Sequence, residues 1–194
     1  MAKFKYIGQS LTRPDAISKA IGKAQYLDDL RLPGLLHAAI LHPETAHAEI
    51  LSIDFSEAEK MPGVVKVVTG RDCKTLYGDN ISDISPMAVK KVRHAGDHVA
   101  AVIAETKHVA LEAVKKIKVQ YKPLPVYTDA RAALAPDAVL IHDHAENYWH
   151  LPGLGAVPGT NIANVYRLKK GDVAQGFAEA DVVVEGEFVY PHGS

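Results

Sequence analysis

An α+β fold is predicted by the way hydrophobic residues are spaced in the second half of this chain. The run His98–Ala104 is almost entirely apolar, which is typical of a buried strand. The apolar residues that follow recur at helical spacing, and Thr106 can cap that helix. From Ile117 onward apolar and polar residues alternate as in a strand, which Pro123 and Pro125 close. The sequence therefore predicts a strand, a helix and a strand in this order.

Two further strands are predicted in the first third of the chain. The apolar run Leu35–Leu41 lies between two proline-containing turns, and it is typical of a strand buried on both faces. The segment Ala48–Phe55 alternates, which places Leu51, Ile53 and Phe55 on one face of a strand.

A short helix and another strand follow. Ser56 and Glu59 are three residues apart and form the pattern of a capping box, which predicts a helix that begins at this serine. Pro62-Gly63 ends the helix, and the β-branched run Val64–Val68 predicts a strand. Residues 71–97 show no clear pattern.

Both ends of the chain are less regular. Residues 1 to about 30 contain Gly8, Pro14 and Gly22 and predict an extended arm. After a helical turn at Ala130–Leu134, the segment up to Gly159 is rich in proline and glycine and predicts a connection wrapped over a surface.

Order is predicted to return near the C-terminus. Asp172 can cap a helix that runs to Ala180, and Asp181–Tyr190 alternates as a strand does. No internal repeat is evident.

Charge and cysteine usage exclude several classes of function. The 194 residues carry a formal net charge of -1, which is too small to gather nucleic acid or an anionic membrane. No segment approaches the roughly 18 apolar residues of a membrane span, and no signal peptide is recognisable. Cys73 is the single cysteine and cannot form an internal disulfide, which fits a reducing compartment. A cytoplasmic protein is therefore expected.

The histidines do not form a recognisable metal site. His37, His42 and His47 are five residues apart, and an odd spacing on a strand sends successive side chains to opposite faces. The cluster His142-Asp143-His144 is better, but no further ligand follows at a recognisable spacing. A solvated loop is favoured there over a structural metal.

Cys73 and a glycine-rich run are the remaining candidates. Arg71 and Lys74 favour a thiolate at Cys73, but a nucleophile also needs a placed base, so a half-buried structural cysteine is the better interpretation. The run Gly153–Gly159 lacks the spacing of a dinucleotide loop, and Pro158 removes an amide that phosphate would need. No catalytic, cofactor-binding or metal-binding residue is therefore predicted in this chain.

A series of short motifs extends along nearly the whole chain in a fixed order: Arg13–Ala16, Gly22–Tyr26, Asp28-Asp29, Leu32–Leu41, Ala46–Ile50, Ile53-Asp54, Pro62–Asp72, Val92–Val102, Val119–Pro125, Asn161–Val165, Gly171–Val173 and Ala180–Glu185. This ordered set resembles the start of the large subunit of molybdenum hydroxylases, the xanthine dehydrogenase and aldehyde oxidase family. His42–Thr45 and Asp97-His98 depart from the family pattern, so the subfamily and the substrate stay open.

The resemblance implies four regions. Residues 1–22 would form an N-terminal arm and residues 23–128 an α/β hammerhead domain. Residues 129–160 would connect it to residues 161–194, the truncated beginning of the molybdopterin-binding domain.

The resemblance also implies a function. Family members hydroxylate an N-heterocycle or an aldehyde with oxygen from water at a molybdenum cofactor, molybdopterin, and pass electrons through 2Fe-2S clusters to an acceptor such as FAD. The pterin-binding loops and the catalytic glutamate of the family lie downstream, so this chain would be a scaffold that is inactive alone. Its expected partners are an iron–sulfur subunit, a flavin subunit and the missing C-terminal cofactor region. The alternative is a stand-alone binding or subunit-assembly module without catalysis.

The chain ends abruptly at Pro191–Ser194, which is interpreted either as a truncated reading frame or, for Gly193-Ser194, as a cloning remnant. The strand predicted at Asp181–Tyr190 would then have lost its neighbours. Because a bare apolar edge invites pairing with another copy, a homodimer is a further hypothesis.

Overall fold

The computed structural model describes residues 4–190, and the chain divides into two compact units. Unit 1 comprises the residues up to Thr75 together with Ser85–Val126. Unit 2 comprises Leu76–Ile84 and the chain from Tyr127 onward. The interpretation of the end at Pro191–Ser194 concerns residues outside the described range.

Helices and strands are mixed along the chain, which confirms the predicted α+β class. The strands are β1 (His37–Leu41), β2 (Ala48–Asp54), β3 (Val64–Thr69), β4 (Lys91–Val92), β5 (Ala100–Ala104) and β6 (Lys118–Pro123). The helices are α1 (Ala16–Ala20), α2 (Ser56–Glu59), α3 (Lys107–Val114), α4 (Ala130–Ala133) and α5 (Val173–Glu179). None of these described helices is long and apolar enough to cross a membrane.

Unit 1 contains two three-stranded antiparallel sheets. The first has the order β1-β5-β3 and the second the order β4-β2-β6. The strand, helix and strand predicted from the second half of the chain are confirmed as β5, α3 and β6, although β5 begins at Ala100 rather than His98. These two strands belong to different sheets, so α3 connects the sheets.

The core of unit 1 lies between these elements. Ala110 and Ala113 of α3 are fully buried. Ala113 packs in a cluster with Val102 of the central strand β5, and Ala110 packs in a second cluster with Ala104 of the same strand. Leu41 and Val119 pack against the cluster of Val102 and also against the cluster of the second sheet. A single continuous core therefore holds both sheets.

The cap predicted for α3 is present: Thr106 Oγ1 accepts a hydrogen bond from the Val109 amide at 3.2 Å. We expect Thr106→Ala to lower the free energy of unfolding of unit 1 by about 1 kcal/mol, because one amide of the first turn loses its acceptor. Urea denaturation followed by circular dichroism measures this change. Thr106→Ser keeps the hydroxyl and is the control; equal losses in both variants would contradict the capping role.

Two strand predictions are wrong in detail. The first strand is not buried on both faces, because Ala38 and Ile40 of β1 share a face that is exposed, Ile40 by 42%. The predicted apolar face of β2 fails at Leu51, which is 59% exposed. A register shift between Ile50 and Ser52 inserts an extra residue at this point and turns Leu51 outward, whereas Ile53 packs on the core as expected.

The short helix predicted to begin at Ser56 is confirmed as α2, but the capping box predicted at Ser56 and Glu59 is wrong, because Ser56 is the first helical residue and not the N-cap. Phe55 is the N-cap, and its carbonyl oxygen accepts from the Glu59 amide. The Ser56 amide donates to Asp54 Oδ1 at 3.0 Å. This hydrogen bond is the largest cause that lowers the pKa of Asp54 below its ordinary value.

The two terminal segments also differ from expectation. The arm is not wholly extended, because it contains α1 and a 3-10 turn at Leu27–Asp29. The strand predicted at Asp181–Tyr190 is wrong: within residues 4–190 no strand pairs with it, and Tyr190 is 96% exposed. Without a neighbouring ladder an alternating apolar pattern does not form a strand. The helix before it is confirmed as α5, and Asp172 Oδ1 caps it at 3.1 Å from the Gln175 amide.

Candidate functional site

Residues of unit 2 line an open cavity of about 250 Å³. Six of its eleven lining residues are isoleucine or alanine, so its walls are mainly apolar. Asp83 supplies the only carboxylate among the described lining residues, and no lysine or arginine contributes. The lining consists of Ile81, Asp83, Ile141, His142, Ala145, Tyr148, Ala156, Thr160, Asn161, Ile162 and Ala163.

A tight hairpin carries Asp83 to the cavity. The Tyr77 amide donates to the Ile84 carbonyl oxygen at 2.9 Å, and the Ile84 amide donates back to Tyr77 at 3.1 Å. Gly78 at the turn has φ +149°, and a Cβ there would collide with the carbonyl oxygen of Ile81. The sequence therefore needs glycine at this turn, which lies in the stretch that showed no clear pattern.

A second pair of backbone hydrogen bonds fixes the hairpin to a later segment. The Ser82 amide donates to the Trp149 carbonyl oxygen at 2.8 Å, and the Leu151 amide donates to the Asn80 carbonyl oxygen at 3.0 Å. Backbone hydrogen bonds therefore fix the chain at Ser82 and at Ile84, the residues on either side of Asp83.

Asn161 orders another part of the cavity lining. Its Oδ1 accepts from the Ile141 amide at 2.8 Å, and its Nδ2 donates to the carbonyl oxygens of Val139 at 3.1 Å and Ala133 at 3.0 Å. The Tyr127 hydroxyl accepts from the Val139 amide at 2.8 Å. Sequence reasoning noticed Asn161 only as part of a family motif, and nothing in the local pattern indicates that it organises a loop twenty and more residues earlier.

Thr160 shapes the adjacent turn. Its Oγ1 donates to the Val157 carbonyl oxygen at 2.9 Å and accepts from the Ile162 amide at 3.1 Å. The Val157 amide in turn donates to the Ile162 carbonyl oxygen at 2.9 Å. Both polar residues in this part of the cavity lining are therefore engaged by the main chain.

The histidine cluster divides between the cavity and solvent. His142 lines the cavity, and its Nδ1 lies 2.9 Å from the Tyr148 hydroxyl, with the two rings edge to face at 5.5 Å. His144 is exposed, with Nδ1 3.6 Å from Glu146. Across residues 4–190 no three metal-ligating side chains converge.

The other sequence candidates lie apart from this cavity. His42 contacts His98 with ring centroids 5.3 Å apart, whereas His47 is buried with Nδ1 2.6 Å from the Pro125 carbonyl oxygen. Cys73 is half-buried, as expected for a structural cysteine. In the glycine-rich run, the Gly155 amide donates to the Asn164 side chain at 3.2 Å.

Comparison with known proteins identifies the family. Residues 21–125 match the family model described as aldehyde oxidase and xanthine dehydrogenase, a/b hammerhead domain. The chain belongs to this family. The resemblance seen in the sequence is thus confirmed, as are the α/β hammerhead fold and membership of the molybdenum hydroxylases.

Similar proteins match this molybdenum hydroxylase chain along most of its length. The aldehyde oxidoreductase of Megalodesulfovibrio gigas is 36% identical, and the match covers 93% of this chain and 20% of that protein. The 6-hydroxypseudooxynicotine dehydrogenase complex subunit gamma of Paenarthrobacter nicotinovorans is 34% identical, over 95% of this chain and 23% of that protein. The reconstituted CO dehydrogenase from Oligotropha carboxidovorans superposes with a TM-score of 0.72 at 32% identity, over 90% of this chain and 22% of that one. The chain spans less than a quarter of the length of these relatives.

The lining of the unit 2 cavity does not fit the phosphate group of the molybdenum cofactor that the family implies. Basic side chains commonly hold a phosphate group, and the described lining of the unit 2 cavity contains no lysine or arginine. Asp83 would repel a phosphate at that wall.

Proposed function

We propose that this chain is the N-terminal part of the large subunit of a molybdenum-dependent oxidoreductase of the xanthine dehydrogenase and aldehyde oxidase type. The whole enzyme would hydroxylate an N-heterocycle or an aldehyde with oxygen from water. The observation that carries this proposal is the family match at residues 21–125, together with relatives that this chain matches over less than a quarter of their length.

Within that enzyme the chain acts as a scaffold and is inactive alone. Unit 1 supports this role because one apolar core joins its two sheets, so the faces of the unit keep a fixed geometry. The cofactor supplies the redox chemistry when it is bound, and the residues that hold it belong to polypeptide beyond residues 161–194.

The partners of the scaffold are an iron–sulfur subunit with 2Fe-2S clusters and a flavin subunit with FAD. Support comes from relatives whose own names mark them as parts of larger assemblies, one as subunit gamma of a dehydrogenase complex and one as the large chain of a carbon monoxide dehydrogenase. A cytoplasmic location fits the single cysteine.

Metal analysis and activity assays of the purified chain test the scaffold role. We expect far less than stoichiometric molybdenum and no oxidation of a purine or an aldehyde by the 194-residue chain. We also expect the genomic reading frame to continue for several hundred codons of cofactor-binding sequence. Stoichiometric molybdenum or turnover by this chain would overturn the scaffold role, and a frame that ends at Ser194 would favour the stand-alone binding or assembly module.

A further inference from the structure

We propose that the unit 2 cavity binds a small aromatic or heteroaromatic cation, such as an amidine or a protonated ring amine, with Asp83 as its counter-ion. This inference does not depend on the proposed function, because it uses only the lining of the cavity. It concerns a class of ligand that the carboxylate and the apolar walls select together.

The size of the cavity sets the size of the ligand. An apolar cavity of about 150 Å³ accommodates benzene. The volume of about 250 Å³ in unit 2 therefore admits one ring with a substituent of a few heavy atoms. Ile81, Ile141 and Ile162 offer this ring an apolar surface from which it displaces water.

Asp83 sets the charge of the ligand. Its carboxylate lines the cavity and is half-buried, and no described residue forms an ion pair or hydrogen bond with it. A carboxylate at an apolar wall attracts a cation more strongly than one in open water, because the effective dielectric constant is lower there. An amidinium group would also give this carboxylate two parallel N–H donors.

Two polar residues of the lining, Asn161 and Thr160, do not compete for the ligand cation. Asn161 and Thr160 are engaged by backbone groups, so they shape the wall rather than solvate a charge. Tyr148 adds aromatic surface, which favours a flat cationic ring. Anions are excluded, because the described lining contains no lysine or arginine and Asp83 repels them.

Titration of the isotope-labelled chain with benzamidine tests this proposal by NMR. We expect millimolar or tighter binding, with amide shifts concentrated at the lining residues of the cavity. Benzoate has nearly the same shape as benzamidine and the opposite charge, and we expect that it does not bind to the cavity. Asp83→Asn is expected to weaken benzamidine binding by at least about tenfold.

Two further variants separate charge from shape and from folding. Asp79→Asn lies on the same hairpin but outside the cavity lining, and it should leave the affinity unchanged. Ala145→Leu fills the cavity while keeping Asp83, and it should also weaken binding. The proposal is overturned if benzoate binds as tightly as benzamidine, if a folded Asp83→Asn chain keeps the wild-type affinity, or if millimolar benzamidine leaves the cavity amides unshifted.

Discussion

Replacement of Asn161 by leucine is expected to lower the free energy of unfolding of unit 2 by about 3 kcal/mol. The substitution removes one acceptor and two donors at once, and it leaves the Ile141 amide and the carbonyl oxygens of Ala133 and Val139 without their partner. A buried polar group left unpaired costs about 1 to 3 kcal/mol, and these groups are only part-buried, so the lower end of that range applies to each.

Trp149 makes this change measurable in unit 2 alone. It is the single tryptophan of the chain, and it lies in the segment that is bonded to the hairpin. Urea denaturation followed by its fluorescence should show an earlier transition in Asn161→Leu. Hydrogen exchange at the Ile141 amide should accelerate in the same variant.

Asn164→Leu is the matched control for Asn161→Leu. Asn164 is a nearby asparagine of similar burial, but it accepts only one hydrogen bond, from the Gly155 amide. Its replacement is expected to cost about 1 kcal/mol. Equal losses in the two leucine variants would show that Asn161 does not organise the loop.

The contrast between α3 and the cavity shows how far the sequence alone could predict this molecule. α3 and its cap depend on residues within one turn of each other, so Thr106 and the helical spacing after it suffice to place the helix. The cavity instead combines Asp83 with Asn161, which are far apart in the chain. The periodicity of neighbouring residues carries no information on such a distant contact. The proline- and glycine-rich segment was therefore predicted only to be a connection.

Strand predictions failed where a neighbour decides the outcome. The pattern at Leu51 is a regular alternation, and only the extra residue in the ladder with β6 turns that side chain outward. The pattern at Asp181–Tyr190 is equally regular, but within residues 4–190 it has no partner strand. Periodicity therefore predicts which residues can share a face, whereas pairing decides whether a strand forms and which face is buried.

The turn after β3 also depends on a residue that is distant in the sequence, because Gly70 in this turn lies close to the backbone of Ala88. Asp72 Oδ2 accepts from the Thr69 amide at 2.8 Å and from its hydroxyl at 3.2 Å. These two hydrogen bonds, the amide first, lower the pKa of Asp72 below its ordinary value. Gly70 lies inside this turn and faces the backbone of Ala88.

Gly70→Ala is expected to lower the free energy of unfolding of unit 1 by about 2 to 3 kcal/mol. An added Cβ would lie 2.5 Å from the Ala88 carbonyl oxygen and 2.8 Å from its carbonyl carbon, and backbone atoms cannot rotate away as a side chain can. Ala88 is buried with Val92 and Val99, and its amide donates to the His98 carbonyl oxygen at 2.7 Å. A shift of Ala88 therefore disturbs the cluster that supports the second sheet.

Gly96→Ala is the control that separates this collision from the general effect of replacing a glycine. The Cβ added at Gly96 meets only the ring of His94, at 3.1 Å, and that exposed ring can move away at the cost of the hydrogen bond that its Nδ1 accepts from the Gly96 amide. Urea denaturation followed by circular dichroism should therefore show a large shift for Gly70→Ala and a small one for Gly96→Ala. If both variants unfold at the same urea concentration, the close approach of Gly70 to Ala88 does not constrain unit 1. The backbone at Ala88 would then move enough to accept the added methyl group at little cost in stability.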